Sequence, residues 1–427
     1  MQPHLLVIAF HFPPIQGSSG VHRTLSFSRY LAEFGWKVTV LTAHERAYAN
    51  VRAENEALIP PDVEVIRALA WDTVRHFSIR QRYPRLLALP DRWQSWIVGG
   101  VLSGLRFIRK QRPHAIYSTF PIASAHVIGL TLQRLTGVPW IADFRDPMTQ
   151  EDYPKDESLR RLLERIEGKV FGRAAGICVT TPSAASYYRS RFPGAAEKIR
   201  VIGNGFDPTI FGTVSEEVAG LQAVQDRKLI LLHSGLLYPV DRNPEPFLRA
   251  LRELRDSGKI QADSVELRLR ASGFDDQYAA LVSRLGLGDM VKLLPPLPYE
   301  AALRELLSAD ALVLFQGSGV NRQIPAKLYE YLYASRPIIG ITDPDGDTGM
   351  TLREFGIPGI ARLEDSAAIR SMLEASLRGV REGRYPIPLR RAVMKYSREH
   401  GARELESWLS ELTGAMGSAK TSDVSSG

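Results

Sequence analysis

"HLLVIAFHFPPIQGSSGVHRTLSFSRYLAEFGWKVTVLTA", residues 4–43, is the stretch on which the fold turns. An apolar run, "LLVIAF", ends in a proline- and glycine-containing loop. An amphipathic stretch, "VHRTLSFSRYLAEFG", follows, and a second apolar run, "KVTVLTA", closes the unit. Strand, loop, helix and strand in this order are the β-α-β signature of a parallel sheet covered on both faces. Gly17, Ser18, Ser19 and Gly20 permit close backbone approach, and the positive end of the following helix favours an anion. An ordinary strand-to-helix turn would read the same way. The loop lacks the G-x-G-x-x-G spacing of the dinucleotide fingerprint, which disfavours a nicotinamide or flavin enzyme.

The alternation continues through "VEVIRAL", "HAIYSTF", "PWIADF" and "GICVTT". It restarts with "KLILLHSG", "VELRLRAS", "MVKLLPP", "ALVLFQG", "PIIGIT" and "PGIARL". Two α/β domains in series are expected, each a doubly wound parallel sheet, divided near "VIGNGFDPTIF" at 201–211. The length of 427 residues agrees, being too long for one ordinary core. No period of 20–50 residues repeats, so a solenoid is not expected. Residues 389–412 read as one long terminal helix, and the small polar residues beyond it as a disordered tail.

Composition is that of a soluble globular protein, 44% hydrophobic and 24% charged. One cysteine, Cys178, excludes an intrachain disulfide and fits a reducing cytosol. "HLLVIAF" is short and lacks a basic leader, so no signal peptide is expected. "SWIVGGVLSGL" at 95–105 is too short to span a bilayer. The net charge of +7 favours an anionic partner: phosphates, acidic lipid or nucleic acid.

Two further constellations carry chemistry. "ADFRDP" at 142–147 places Asp143, Arg145 and Asp146 where a strand ends, as candidate catalytic groups that could orient hydroxyls or stabilise charge. A structural ion pair capping the turn before Pro147 is the other reading. "GVNRQIPAKLYEYLYASRPIIG" at 319–340 reads as a loop, a short helix opened by Pro325, and a buried strand. Free N–H groups of that helix end would face a phosphate, with Arg322 and Lys327 adding charge. Glu330, one turn in, suits ribose hydroxyls. A surface pair of Lys327 with Glu330 is the alternative. His126 lies in an apolar helix and reads as packing. No His/Cys cluster has metal-ligand spacing.

Together these motifs resemble the retaining family 4 glycosyltransferases over about residues 1–410. "GSSGVHRTLSFSRYLAEFGWKVTVLTA" is similar to that family's opening, "VIGNGFDPTIF" to its interdomain motif, "LLHSGLLYPVDRNPEPFLRAL" to the start of its nucleotide domain, and "IPAKLYEYLYASRPIIG" to its glutamate helix and strand. The resemblance implies a GT-B fold, two Rossmann-like domains facing a cleft. An acceptor domain would cover 1–204, a donor domain 205–385, a helix crossing back 386–412, and a tail 413–427. It implies a UDP- or GDP-sugar held by Gly235, Arg242, Arg322, Lys327 and Glu330. A glycan or polyprenyl-linked acceptor would sit near Gly17, Ser18, Ser19, Gly20 and Arg23, beside Asp143, Arg145 and Asp146. The sugar nucleotide is then a substrate; no cofactor, metal or nucleic acid is implied. This sequence departs from the family pattern at Arg322, where a second glutamate is common, at Leu236, where an arginine is usual, and at Arg145, where many relatives have histidine.

The activity implied is retaining glycosyl transfer in cell-surface polysaccharide or glycan synthesis. A non-catalytic nucleotide-sugar or glycan binding protein and a nucleotide-sugar epimerase are the alternatives. Residues 71–112 carry nine Lys/Arg against two acidic residues, interleaved with Trp71, Trp93 and Trp96. Such a segment suits an anionic membrane surface, placing the protein in the cytoplasm with peripheral attachment to the inner face of the membrane. Trp93 and Trp96 would otherwise be core residues of a helix.

Overall fold

The computed structural model describes residues 2–16, 20–80, 82–151, 153–212 and 227–414. The chain forms two compact units, one of residues up to Asn204 with the chain from Arg398, the other Gly205–Ser397.

The first unit is built on seven parallel strands: β1 His4–Ala9, β2 Lys37–Ala43, β3 Val63–Ala68, β4 Ala115–Thr119, β5 Trp140–Arg145, β6 Gly176–Val179 and β7 Ile199–Val201. Their order is β3-β2-β1-β4-β5-β6-β7. Successive side chains of a strand point to opposite faces, and the sequence uses both. Leu6 and Ile8 enter one core, with Trp96 and Trp140. Leu5, Val7 and Ala9 enter the other, with Trp36 and Trp408. A strand buried on both sides needs an unbroken apolar run, which "LLVIAF" supplies.

Helices cover both faces. Ser95–Gln111 lies against Ala123–Thr136 at two glycines. A Cβ on Gly100 would come 2.6 Å from Ile128 Cδ1, and one on Gly104 2.6 Å from Leu132 Cδ1. The Arg398–Thr413 helix brings Leu405, Trp408 and Leu409 to the other core. The single helix expected over 389–412 is in fact two, Arg390–Val393 and Arg398–Thr413. Ser397 breaks it, taking an extended backbone (ψ 148°) to form a bridge with Phe206.

The second unit has six parallel strands: β8 Leu229–Ser234, β9 Val265–Arg270, β10 Val291–Leu294, β11 Ala311–Phe315, β12 Ile338–Ile341 and β13 Ile360–Ala361, in the order β10-β9-β8-β11-β12-β13. Both sheets reverse direction of winding beside their first strand, between β1 and β4 and between β8 and β11. In such sheets ligands bind outside the carboxyl ends of the strands at this switch point. Gly20 follows β1 and Gly235 follows β8 at these two places, while Asp143 and Arg145 lie one strand beyond β4, in β5.

Candidate functional site

In the first unit Arg23 projects from the Gly20–Glu33 helix onto Asp143 in β5. Its Nε is 3.1 Å from Asp143 Oδ2, and both side chains are almost wholly buried. The carboxylate also accepts from Tyr117 OH (2.6 Å) and Thr119 Oγ1 (3.0 Å). The guanidinium donates to Gly203 O (2.6 Å) and Ile202 O (2.9 Å) and reaches Cys178 Sγ at 3.5 Å. Burial works against both charges. Arg23 and Tyr117 override it at Asp143, holding the carboxyl below its usual range, and Asp143 holds Arg23 above its own. A buried charge is tolerated when so paired. The geometry is that of a clamp fixing the helix to the sheet and to the chain at 202–203.

Arg145 differs. It closes β5 with φ +57°, beside a register shift against β6. Its Nη1 makes one long contact, 3.5 Å to Phe120 O, and its Nε is buried with no partner. Asp146, half-buried, follows it. A Cβ on Gly20 would lie 2.8 Å from both Arg145 Nη1 and His11 Nδ1, so these two groups flank the start of the helix. Burial and the charge of Arg145 push His11 down to about 4. Gly17, Ser18 and Ser19 lie outside the described residues. His126 is a core residue, bonded through Nδ1 to Ser118 Oγ (2.8 Å) and packed on Phe144.

In the second unit Lys327 sits in the first turn of the Ala326–Ala334 helix, which Pro325 precedes. Its Nζ is 3.0 Å from His233 Nε2. His233 Nδ1 lies 2.8 Å from Val313 O, and Nε2, besides facing Lys327 Nζ, lies 3.1 Å from Gly235 O. Gly235 follows β8 at φ +108°, and a Cβ there would stand 3.0 Å from Lys327 Nζ. Burial lowers the Lys327 ammonium well below its usual value; Arg242 lowers it further and Glu330 opposes. Burial, then Lys327, does the same to His233. Arg242 lies over the Tyr238 ring at 5.4 Å. Glu330 accepts from Tyr299 OH at 2.7 Å. Tyr331 OH accepts the Ser234 N–H at 2.9 Å, tying the helix to the end of β8.

Gly235, Arg242, Lys327 and Glu330, singled out from sequence, thus meet at one sheet edge. Arg322 is half-buried in the turn ahead of the helix. Sequence reading missed His233, Tyr299 and His11. A histidine inside the apolar run "LILLHSG" was the available signal for His233. Among the described residues, no group of three or more His, Cys, Asp or Glu is arranged to hold a metal ion. Nor is any helix among them long and apolar enough to cross a membrane.

The surface expectation needs revision in one respect. Trp96 is fully buried, and Trp93 is half-buried with its Nε1 donating to Ala47 O (3.0 Å). Both indoles serve the core. Among the described residues of this segment, Phe77, Ile79, Tyr83, Leu86, Leu87, Val98 and Leu102 are exposed.

Residues 19–205 match the model of the glycosyl transferase 4-like domain. Among curated proteins none matches the chain in sequence. Among solved structures, a sucrose-phosphate synthase from Thermosynechococcus elongatus aligns with a TM-score of 0.66 at 15% identity, over 97% of this chain and 100% of that one. HepE of Anabaena in complex with UDP aligns at 0.63 and 14% identity, over 96% and 100% of the two chains. The same protein with UDP-glucose aligns at 0.61 and 14%, over 96% and 99%. Residues 19–205 match a glycosyl transferase 4-like domain, and the chain has the GT-B fold, two parallel-sheet α/β domains, that these solved structures share.

Proposed function

We propose that this protein transfers a sugar from a UDP- or GDP-sugar to a glycan or polyprenyl-linked acceptor, with retention of anomeric configuration, in cell-surface glycan synthesis. The observation that carries the reading is the meeting of Lys327 and Arg242 at the carboxyl end of β8, beside the start of the Ala326–Ala334 helix. Lys327 is desolvated there and electrostatically opposed by Arg242. Two cations held together in a partly dry site are costly unless an anion joins them. A nucleotide diphosphate supplies that anion. As the glycosidic bond breaks, negative charge grows on the departing diphosphate, and preorganised cations stabilise it without metal. Glu330, oriented by Tyr299, is placed to accept from ribose hydroxyls, and no cofactor is called on. The UDP and UDP-glucose held by HepE, a protein of the same fold, favour a uridine donor.

Titration calorimetry with UDP and GDP tests binding. Incubation with sugar nucleotides, followed by mass spectrometry, tests transfer. Tight UDP binding without transfer or hydrolysis would favour the binding-protein reading, and isomerised sugar nucleotide without acceptor the epimerase. No affinity for either diphosphate would refute all three.

The acceptor side of the proposal includes a membrane surface. Ile79 and Leu86 are each 78% exposed, and Val98 and Leu102 extend outward from a helix whose next turns carry exposed Arg106 and Arg109. Apolar side chains beside cations suit an acidic bilayer. Flotation with acidic and neutral vesicles tests it: binding to acidic vesicles alone is expected, lost when Ile79 and Leu86 become Ser. Equal behaviour with both lipids would leave a soluble acceptor.

A further inference from the structure

Arg145 is a buried cation of the first unit that makes no ion pair among the described residues. The carboxylate two residues before it, Asp143, is occupied by Arg23, Tyr117 and Thr119. Its own Nε is buried without a partner, and its nearest acceptor is a carbonyl at 3.5 Å. Burial lowers this guanidinium below its ordinary value even though Asp146 and Asp143 oppose the shift. The backbone holds the residue firmly in this position. Arg145 O accepts from Thr180 N (3.2 Å) and Thr180 Oγ1 (2.8 Å), and φ is in the left-handed region, costly for a side chain this large. A fold that merely tolerated this arginine would let it relax toward solvent.

Asp146 and Asp143 offset part of this charge, yet neither forms an ion pair with the guanidinium. Nη1 and the neutral His11 ring converge on Gly20, where any side chain would collide with both. Gly20 opens a fourteen-residue helix with no acidic residue in its first turn. A planar guanidinium, an imidazole and a helix start, all at the carboxyl edge of β1 and β5, form a receptor for a compact oxyanion.

We propose that the substrate bound by the first unit carries an acidic group, a phosphate ester or a carboxylate, which pairs with Arg145. This rests on the glycosyl-transfer reading only in taking that substrate to be a sugar. The diphosphate of the donor is assigned to Lys327 and Arg242 in the other unit, so this anion is an additional one. A neutral hexose would leave the guanidinium as it is now, desolvated and with its Nε unpartnered. An acidic sugar would satisfy it with two parallel N–H···O bonds.

The test is calorimetry on the full chain with glucose 6-phosphate, glucuronate and glucose, before and after saturation with UDP. One of the two anions should bind and glucose should not. Arg145→Gln should weaken that binding roughly 10- to 150-fold, the loss expected for one charge-assisted contact. Arg145→Lys, keeping the charge without the fork, should fall between. UDP affinity should be unchanged in both variants, which also shows that they fold. Preference for glucose 6-phosphate assigns a phosphorylated sugar, and preference for glucuronate a uronic acid. Binding of neither anion at millimolar concentration, equal binding of glucose, or wild-type anion affinity in Arg145→Gln overturns the inference. A chain that binds the anion but not UDP would instead sink the donor reading and leave this one standing.

Discussion

Lys327→Met separates a ligand-binding lysine from a structural one, because the two roles predict opposite signs for stability. The ammonium is desolvated, faces Arg242, and in the free protein is held well below its usual value. Between that depressed value and the ordinary one near 10.5, the folded state binds fewer protons than the unfolded state, so this group's contribution to stability rises with pH. At neutral pH the lysine is therefore a liability of the free protein. Methionine keeps the length and the apolar stem but removes the charge. One hydrogen bond to His233 is lost, about 1 kcal/mol, against relief of burial and of repulsion by Arg242. The variant's melting temperature should be equal to or above the parent's, by roughly 2–4 °C for each kcal/mol regained in a domain of this size. UDP affinity should fall roughly 10- to 150-fold, the loss of a charge-assisted bond to a phosphate. Uridine, which has no phosphate, should bind as before. Thermal melts and calorimetry on one preparation give all three values. A lowered melting temperature with equal losses for UDP and uridine would refute the argument and make Lys327 a packing residue.

At a pH above the lysine's depressed value, UDP binding should draw protons from solution, because a phosphate raises the Lys327 ammonium back toward its ordinary value. Affinity should be greatest below the lysine's depressed value and decline as pH rises through it, and calorimetry in buffers of different ionisation enthalpy would read the uptake; buffer-independent heats would contradict it. Glu330→Ala should weaken UDP by about 1.5–3 kcal/mol with the fold intact, whereas an unchanged affinity would remove the ribose assignment. Arg23→Met should destabilise the first unit by about 3–5 kcal/mol, since it strands Asp143 as an unpaired buried charge. UDP affinity below the melting temperature should stay at the parent's value, and a melt indistinguishable from the parent's would show that the clamp is dispensable.

What the sequence made legible follows from the range of the interactions involved. Strands and helices are written locally. "LLVIAF" must be buried on two faces, and residues 4–43 already contain a whole β-α-β unit, so both sheets could be read from hydrophobic runs and their spacing. Lys327 and Glu330 were legible for the same reason, three residues apart on one short helix. Arg23 and Asp143 were not legible as a pair, because 120 residues separate them and only the sheet order brings them together. The sequence placed Asp143, Arg145 and Asp146 on an equal footing as one acidic and basic cluster. The fold divides them: strand alternation turns Asp143 inward onto Arg23, while a left-handed residue at the strand's end carries Arg145 to the rim. His233 went unseen because a histidine in an apolar run reads as core, and its meaning lies in Lys327, 94 residues away. A cation becomes a binding group when the fold withholds its counter-ion. That property depends on every neighbour at once, so it belongs to the tertiary structure and not to any motif.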